Sequence, residues 1–291
     1  MRIAVTGKEG QVVSALLERG PLSGVEIIAL GRPDLDLTDP ASIRRAILGA
    51  KPHAVVSAAA YTAVDKAESE ADLAFAVNAE GPGAIAAVAA ELGVPVVHLS
   101  TDYVFAGDKT APYTEADPTG PVSVYGHTKL EGERRVATAQ PDHAILRTAW
   151  VYSPFGANFM KTMLGLAETR DAVNVVADQH GTPTSALDIA DAAIAVARRL
   201  VADPNPALRG VFHLTGSGKA TWADFAEAIF AEREARGASA VTVGRIGTAD
   251  YPTPARRPAN SRLSGDKLAR TYGIALPDWR VSAKVVLDRL L

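Results

Sequence analysis

Short, uninterrupted apolar runs alternate with longer stretches whose apolar residues recur every three or four positions through the first half of the chain. The short runs predict strands covered on both faces, and the longer stretches predict amphipathic helices. The predicted strands cover residues 2–6, 26–30, 54–59, 94–101 and 143–152, with helices between them. This repeated β-α order predicts an α/β fold with a doubly wound parallel sheet and right-handed crossovers.

Beyond residue 151 the pattern changes and helices dominate. Helices are predicted over residues 158–168, 188–200, 222–236, 264–272 and 282–290, with strands at 173–176 and 210–215. We expect the helix at 188–200 and the strand at 210–215 to return to the large sheet. The predicted organisation is a sheet domain over 1–150, completed by 186–215, and a small C-terminal α/β lobe formed by 151–185 and 216–291.

Two helices in the first half carry local signals. Asp39 is a predicted N-cap and Pro40 a predicted first helical residue, because both types favour those positions. An alanine-rich helix is predicted over residues 67–92. We expect it to kink or break near Pro82, since proline removes an intrahelical hydrogen bond.

The composition narrows the class of protein. A content of 47% hydrophobic and 22% charged residues is typical of a soluble globular protein, and a net charge of −3 favours neither nucleic acid nor an anionic membrane as partner. The lack of cysteine excludes disulfides, thiolate metal sites and cysteine nucleophiles. Gly7 comes too early for the apolar core of a signal peptide, and no apolar run reaches the roughly 18–20 residues of a transmembrane helix. We therefore expect a cytoplasmic protein.

A glycine turn follows the first predicted strand. A strand, a glycine turn and a helix in that order form an anion site, because backbone N–H groups and the helix N-terminus attract phosphate. Gly7 would make the tight turn and Gly10 would let a pyrophosphate approach the backbone of Gln11 and Val12. Val13 stands where a third glycine is usual, and a plain strand-to-helix turn is the alternative interpretation.

The second strand ends at a position that reads the cofactor ribose in dinucleotide folds. Arg32 stands there and could pair with a 2′-phosphate, which favours NADP over NAD. Asp36 and Leu37 could border and cover an adenine. A solvated surface arginine is the alternative for Arg32.

Small residues follow the third predicted strand, at Ala58, Ala59 and Ala60. Such residues let a cofactor lie close against the backbone at the carboxyl end of a strand. Tyr61 and Thr62 come next and are further candidates for cofactor contact. Simple packing is the alternative for Tyr61.

Tyr125 and Lys129 are four residues apart and share one face of the helix predicted at 123–139. We expect the ammonium to lower the pKa of the phenol, as a tyrosine acid/base requires near neutral pH. The Tyr125–Lys129 spacing alone is weak evidence for a catalytic pair. It gains weight from Thr101, a hydroxyl at the carboxyl end of the fourth predicted strand.

Six candidate residues lie near the carboxyl ends of the predicted strands, which is where open sheets bind ligands. They are Gly7, Gly10, Arg32, Ala60, Thr101 and Trp150.

The predicted loop at 252–262 holds three arginines in seven residues, Arg256, Arg257 and Arg262. Guanidinium groups bind phosphate bidentately, so an anionic ligand is one interpretation. A solvated surface loop is the other.

Seven motifs together are similar to those of the dTDP-4-dehydrorhamnose reductase family of extended short-chain dehydrogenase/reductases. They are Gly7-Lys-Glu-Gly10-Gln-Val, Ala58-Ala-Ala-Tyr-Thr-Ala-Val-Asp-Lys-Ala-Glu, Ser100-Thr-Asp-Tyr-Val-Phe, Tyr125-Gly-x-Thr-Lys129-x-x-Gly-Glu, Arg147-Thr-Ala-Trp150-Val-Tyr, Asp178-Gln-x-Gly-x-Pro-Thr and Arg257-Pro-Ala-Asn-Ser. The resemblance implies a Rossmann domain that binds NADPH or NADH and a lobe that binds a dTDP-sugar. It implies reduction of the 4-keto group of dTDP-4-dehydro-L-rhamnose to dTDP-L-rhamnose.

The resemblance also implies roles for individual residues. Tyr125 would be the general acid, Lys129 would lower its pKa and hold the nicotinamide ribose, and Thr101 would orient the C4 oxygen. Asp102 and Tyr103 would contact the sugar, and Trp150 would pack against its ring. The motifs that shape the rest of the sugar-nucleotide pocket supply Gln179, Thr184, Arg256 and Asn260.

The chain departs from the family pattern at two positions. Val13 replaces a glycine and should push the first helix slightly away from the strand. Ala15 stands where some members carry a glutamate that takes part in a magnesium-bridged dimer. We therefore expect no metal site, and a monomer or weak homodimer.

Two other functions remain open at this point. One is a nucleotide-sugar epimerase or dehydratase of the same superfamily, although Tyr103 stands where a dehydratase has the glutamate of an Asp-Glu pair. The other is a non-catalytic regulatory subunit of the methionine adenosyltransferase type. The presence of Thr101, Tyr125 and Lys129 together favours an enzyme.

Overall fold

Strands and helices alternate through the first half of the chain in a computed structural model that describes all residues, 1–291. The elements are β1 (Arg2–Thr6), α1 (Gln11–Leu22), β2 (Glu26–Leu30), α2 (Pro40–Ala50), β3 (Ala54–Ser57), α3 (Val64–Ala67), α4 (Ala71–Phe75), α5 (Gly81–Leu92), β4 (Val96–Thr101), α6 (Val124–Ala139) and β5 (His143–Thr148). All five predicted strands form. Asp39 caps α2, accepting a hydrogen bond from the Ala41 N–H at 2.9 Å.

The second half contains the predicted helices together with several short strands. The elements are β6 (Val151–Tyr152), α7 (Phe159–Leu166), β7 (Ala172–Val176), β8 (His180–Gly181), β9 (Thr184–Ser185), α8 (Ala186–Ala202), β10 (Gly210–His213), β11 (Ala220–Thr221), α9 (Trp222–Glu234), β12 (Thr242–Ile246), α10 (Asp266–Tyr272) and α11 (Trp279–Leu290). The sequence pattern did not predict β12, which pairs in parallel with β7 and has a glycine and an arginine in its middle.

Six parallel strands form the large sheet in the order β10-β5-β4-β3-β1-β2. The position of β10 beside β5, after α8, confirms that this part of the chain returns to the sheet. The chain leaves β1 toward β2 on one side and then crosses to β3 on the other side. This reversal creates the crevice at which open α/β sheets bind ligands, at the carboxyl ends of β1 and β3.

One hydrophobic core runs from the sheet into the C-terminal part of the chain. It joins Val5 of β1 and Leu146 of β5 to the α8 residues and to Phe225 and Trp279 of α9 and α11. Tyr152, between these regions, is fully buried against Phe225. The shared core therefore holds the residues after 151 in a defined position over the carboxyl edge of the sheet.

The strand predicted over residues 143–152 is interrupted. It stops at Thr148, Trp150 adopts a left-handed φ of 51°, and Val151 and Tyr152 pair with β9 instead. A left-handed residue turns the chain out of the sheet ladder. The prediction of one continuous strand was therefore wrong, because tertiary pairing redirects the chain after β5.

The alanine-rich segment remains helical near Pro82 instead of breaking. A π-helical stretch, Ala76–Glu80, joins α4 to α5, and Pro82 lies in the first turn of α5. The run Ala71–Leu92 has 22 residues and is long and apolar enough to cross a membrane, which differs from the expectation drawn from the sequence. Half of its apolar stretch is buried inside the fold. Its apolar residues pack with those of α2, β3 and α6, as in the core helix of a globular fold.

Candidate active site

The glycine turn opens a cleft at the crevice of the large sheet. Gly7 has a φ of 106°, which favours glycine, and its N–H donates to the Leu30 carbonyl at 2.6 Å. The cleft beside it has a volume of about 750 Å³. Its walls include seven of the predicted cofactor residues: Gly7, Arg32, Asp36, Leu37, Ala59, Ala60 and Tyr61.

Seven predicted cofactor residues do not form the wall of this cleft: Gly10, Gln11, Val12, Ala58 and Thr62, together with Tyr125 and Lys129, which are described below. Gly10 is the N-cap position of α1, Val12 packs on the large core, and Thr62 is exposed. The Ala58 N–H donates to the Thr6 hydroxyl at 3.0 Å, which fixes the turn after β3. Gln11 accepts a hydrogen bond from the Ser153 hydroxyl at 2.8 Å, so the first turn of α1 is tied to the chain that follows Trp150.

Two cations lie at the β2 end of the cleft. Arg32 is exposed, whereas Lys8 pairs with Asp34 at 2.9 Å. Asp36 is engaged locally, because hydrogen bonds from the Thr38 N–H and hydroxyl lower the pKa of its carboxyl group. Sequence reasoning missed Lys8, although it lies within the glycine turn. Both cations can reach an anionic group bound in this part of the cleft.

Thr101, Tyr125 and Lys129 come together, buried, where β4 meets α6. The Ser123 hydroxyl caps α6 by accepting from the Gly126 N–H at 3.2 Å, which places Tyr125 in the first turn. Lys129 lies one turn later, and its ammonium donates to the Leu99 carbonyl at 2.8 Å. The sequence spacing thus places both side chains on the helix face toward β4.

Burial dominates the protonation of this group. Desolvation raises the pKa of the Tyr125 phenol, the Asp102 carboxyl raises it further, and a hydrogen bond with Thr101 opposes both. Desolvation also lowers the pKa of Lys129 to about 8. The expected lowering of the Tyr125 pKa is not seen in this structure, where burial is the largest effect on the phenol and the Lys129 ammonium donates to the Leu99 carbonyl. The phenol is therefore protonated at neutral pH, the form that can donate a proton.

Asp102 is buried next to this group and keeps one oxygen without a partner. Its Oδ1 accepts from the Thr101 hydroxyl at 3.0 Å, whereas Oδ2 is buried and unbonded. Desolvation raises the pKa of Asp102 to about 6, and the nearby Ser261 and Thr101 hydroxyl groups act against that rise. A buried, unbonded acceptor is costly, so Oδ2 is suited to accept a hydroxyl from a ligand.

A second cavity of about 490 Å³ lies over the C-terminal part of the chain. Its walls include the predicted residues Tyr103 and Gln179 and also Arg257, one of the three arginines considered for an anionic ligand. They further include Phe159, Arg170 and Trp222, which were not predicted. The Tyr103 ring meets the Tyr125 ring edge-on at 5.5 Å, so this cavity approaches the phenol. Trp150 stacks on Trp222 at 3.6 Å and therefore borders the same region.

Three predicted substrate residues have other places in the structure. Arg256 is exposed, and its neighbour Arg257 lines the cavity, bonded to Tyr103 at 3.3 Å and to Asp65 at 2.8 Å. Asn260 is buried and donates to the carbonyls of two residues in the loop 109–111. Thr184 is fully buried, and its N–H donates to the Trp150 carbonyl at 3.2 Å. Neither Asn260 nor Thr184 lines the cavity.

Asn78 is a positioning residue that sequence reasoning did not identify. Its side chain accepts from the Tyr61 N–H at 2.8 Å and donates to the Thr128 hydroxyl at 3.1 Å. It thus joins the cofactor-side turn to the helix that carries Tyr125. The available signal was an asparagine within an otherwise apolar helical segment, which is costly unless the amide is bonded.

Comparisons with known proteins agree with this architecture. A family model described as the RmlD substrate binding domain matches residues 1–291. The dTDP-4-dehydrorhamnose reductase of Sinorhizobium fredii is 56% identical over 291 residues, which is 100% of this chain and 98% of that protein.

Solved structures lead to the same family. A dTDP-4-dehydrorhamnose reductase from Clostridium acetobutylicum has a TM-score of 0.93 and 40% identity, covering 100% of this chain and 99% of its own. One from Bacillus anthracis, in complex with NADP, has a TM-score of 0.90 and 31% identity over 99% of both chains. The chain therefore belongs to the dTDP-4-dehydrorhamnose reductase family.

Proposed function

We propose that this protein reduces the 4-keto group of dTDP-4-dehydro-L-rhamnose to give dTDP-L-rhamnose, with NADPH or NADH as the reductant. The observation that carries the proposal is the buried group of Thr101, Tyr125 and Lys129. Within it, Tyr125 belongs to one apolar cluster with Tyr61, which lines the cleft, and Tyr103, which lines the cavity. A proton donor between two binding spaces suits a reaction in which a cofactor and a substrate must meet.

The cleft suits a dinucleotide. The left-handed Gly7 lets a pyrophosphate approach the backbone, and the small side chains of Ala59 and Ala60 leave room beside it. Arg32 and Lys8 are placed to meet a 2′-phosphate, which favours NADPH. When bound, the nicotinamide supplies a hydride to the carbonyl carbon C4.

The residues of the chain supply the proton and the orientation. Tyr125, protonated at neutral pH, gives its phenolic proton to the C4 oxygen, so the ketone becomes an alcohol and the phenol a phenolate. The Thr101 hydroxyl turns its one proton from Asp102 to this oxygen and orients it. The ammonium of Lys129 stabilises the phenolate and holds the nicotinamide ribose. Solvent then returns the proton to Tyr125.

The cavity is proposed to hold the dTDP-sugar. Arg257 supplies a cation for the pyrophosphate, Trp150 an apolar face for the sugar ring, and the unbonded Asp102 oxygen an acceptor for a sugar hydroxyl. We accordingly assign cofactor binding to residues 1–150 with 186–215, and sugar-nucleotide binding to 151–185 with 216–291. A cytoplasmic location and a monomeric or weakly dimeric state remain predictions.

The test is oxidation of NADPH by the purified protein with dTDP-4-dehydrorhamnose, measured beside other 4-keto sugar nucleotides. We expect turnover that requires added NADPH and is fastest with the dTDP-rhamnose precursor. Stoichiometric retained NAD, with turnover of a sugar nucleotide in the absence of added NADPH, would identify an epimerase or dehydratase. Capture of a methionine adenosyltransferase without turnover at high enzyme concentration would identify a regulatory subunit.

A further inference from the structure

A buried carboxylate lies one helical turn beyond Lys129. Glu133 accepts hydrogen bonds from the Ser100 hydroxyl at 2.5 Å and from the Arg147 guanidinium at 2.9 and 2.7 Å. The side chains of Glu133 and Arg147 are each only 5% exposed. Both oxygens of the carboxylate are thus engaged, one of them twice, in a bidentate charged pair.

The partners of Glu133 lie on the two strands that face α6. Ser100 of β4 and Arg147 of β5 are directly paired in the sheet register, and Thr101 is the residue after Ser100. One carboxylate therefore ties the helix of Tyr125 and Lys129 to the strand end that delivers Thr101. A buried ion pair does not by itself show that a fold is stabilised, because the cost of desolvating the two charges offsets their attraction. The informative feature of the Glu133–Arg147 pair is therefore its position between α6 and the two strands.

Glu133 is the anion that supports the charge of Lys129. Residues four apart on a helix lie on the same face, and the Glu133 charge raises the pKa of Lys129 against the lowering by burial. On β4, His98 is neutral because burial and the nearby lysine lower its pKa well below the usual value. The other titratable groups around the network are Tyr125 on α6, Asp102 after β4, His143 and Arg147 on β5, and His213 on β10, whose pKa burial lowers to about 3.

We propose that Glu133, held by Ser100 and Arg147, is a positioning residue that keeps Lys129 charged and in place during the reduction. The inference rests on the proposed function for its kinetic consequence. The arrangement of Lys129, Glu133 and the two strands is independent of that function.

The experiment compares Glu133→Gln with Glu131→Gln. Glu131 is a matched control on the same helix, where it pairs at the surface with Arg134 and Arg135. Loss of the Glu133 charge disfavours the ammonium, so we expect the alkaline limb of the kcat profile to move about one unit toward lower pH. At pH 8, kcat should fall about fivefold, since fewer molecules carry a charged Lys129, and at pH 6 it should stay within about twofold of wild type. Glu131→Gln should match wild type throughout.

A measurement without substrate separates this inference from the proposed function. Titration of protein labelled with carbon-13 lysine, with the Lys129 signal assigned through Lys129→Arg, should show a lower pKa of Lys129 in Glu133→Gln. That shift would stand even if the protein failed to reduce the dTDP-sugar. A Lys129 titration and a pH profile identical to wild type would restrict Glu133 to stability and overturn the proposal.

Ser100→Ala provides a second variant if Glu133→Gln does not fold. It removes one hydrogen bond to Glu133 and leaves the ion pair in place. We expect kcat to fall about threefold or more at every pH while the alkaline limb stays in place, because the strand end with Thr101 loses its tie to α6. Wild-type kcat in this variant would overturn the positioning role.

Discussion

The cleft at the glycine turn and the cavity over the C-terminal part of the chain lie on either side of Tyr125, through Tyr61 and Tyr103, and they are assembled in different ways. The cleft takes most of its wall from the turns that directly follow β1, β2 and β3. The cavity takes its wall from α7, β7, the start of α9 and the loop at 251–257, which lie far apart in the chain. Seven predicted cofactor residues line the cleft, whereas only Tyr103 and Gln179 of the predicted substrate residues line the cavity.

The higher number of correct predictions at the cleft shows that short sequence motifs identify sites built from single turns better than sites built from distant segments. A turn at a strand end has a local geometry, so Gly7 and Ala59 can be assigned from a few neighbouring residues. A cavity between distant segments depends on which side of each loop faces inward. Adjacent Arg256 and Arg257 have the same chemistry in the sequence, and only packing against Asp65 and Tyr103 turns Arg257 toward the cavity.

The largest expected effect is at the junction between the two regions. Tyr125→Phe removes the proposed proton donor and should lower kcat by at least about 100-fold. Thermal stability and NADPH affinity should stay close to wild type, because the ring remains to fill its buried place. Steady-state kinetics, a melting curve and cofactor titration check this. Wild-type turnover would exclude Tyr125 as the acid.

The comparison between the two arginines is the sharpest test of the cavity. Arg257→Ala should raise KM for the dTDP-sugar by about 10- to 100-fold, the range of a lost charged hydrogen bond. Arg256→Ala is the adjacent control and should leave KM near wild type, since its side chain is exposed. If Arg256→Ala had the larger effect, the cavity would not be the substrate site.

The smallest expected effect concerns the exposed end of the cleft. Arg32→Ala should raise KM for NADPH about tenfold while KM for NADH stays unchanged, because only NADPH carries a 2′-phosphate. Arg44→Ala, an exposed arginine of α2 paired with Glu91, is the control outside the cleft. Equal effects of Arg32→Ala on both cofactors would show that Arg32 does not read the 2′-phosphate.

Local chemistry alone determined a large part of the fold. The five apolar runs became parallel strands, Asp39 and Pro40 began α2, and the spacing of Tyr125 and Lys129 placed both on the face of α6 toward β4. These features follow from residue type and periodicity over a few positions, so the sequence contains the information directly.

Long-range packing decided the remaining features. The chain turns out of the sheet at Trp150, Asn78 joins the turn after β3 to α6, and burial raises the pKa of Tyr125. Each outcome depends on groups that are distant in the chain, through pairing, hydrogen bonding or desolvation. The sequence thus determined the elements and the residues at their ends, while the tertiary structure decided which side chains line the cleft and the cavity and which protonation state the buried groups hold.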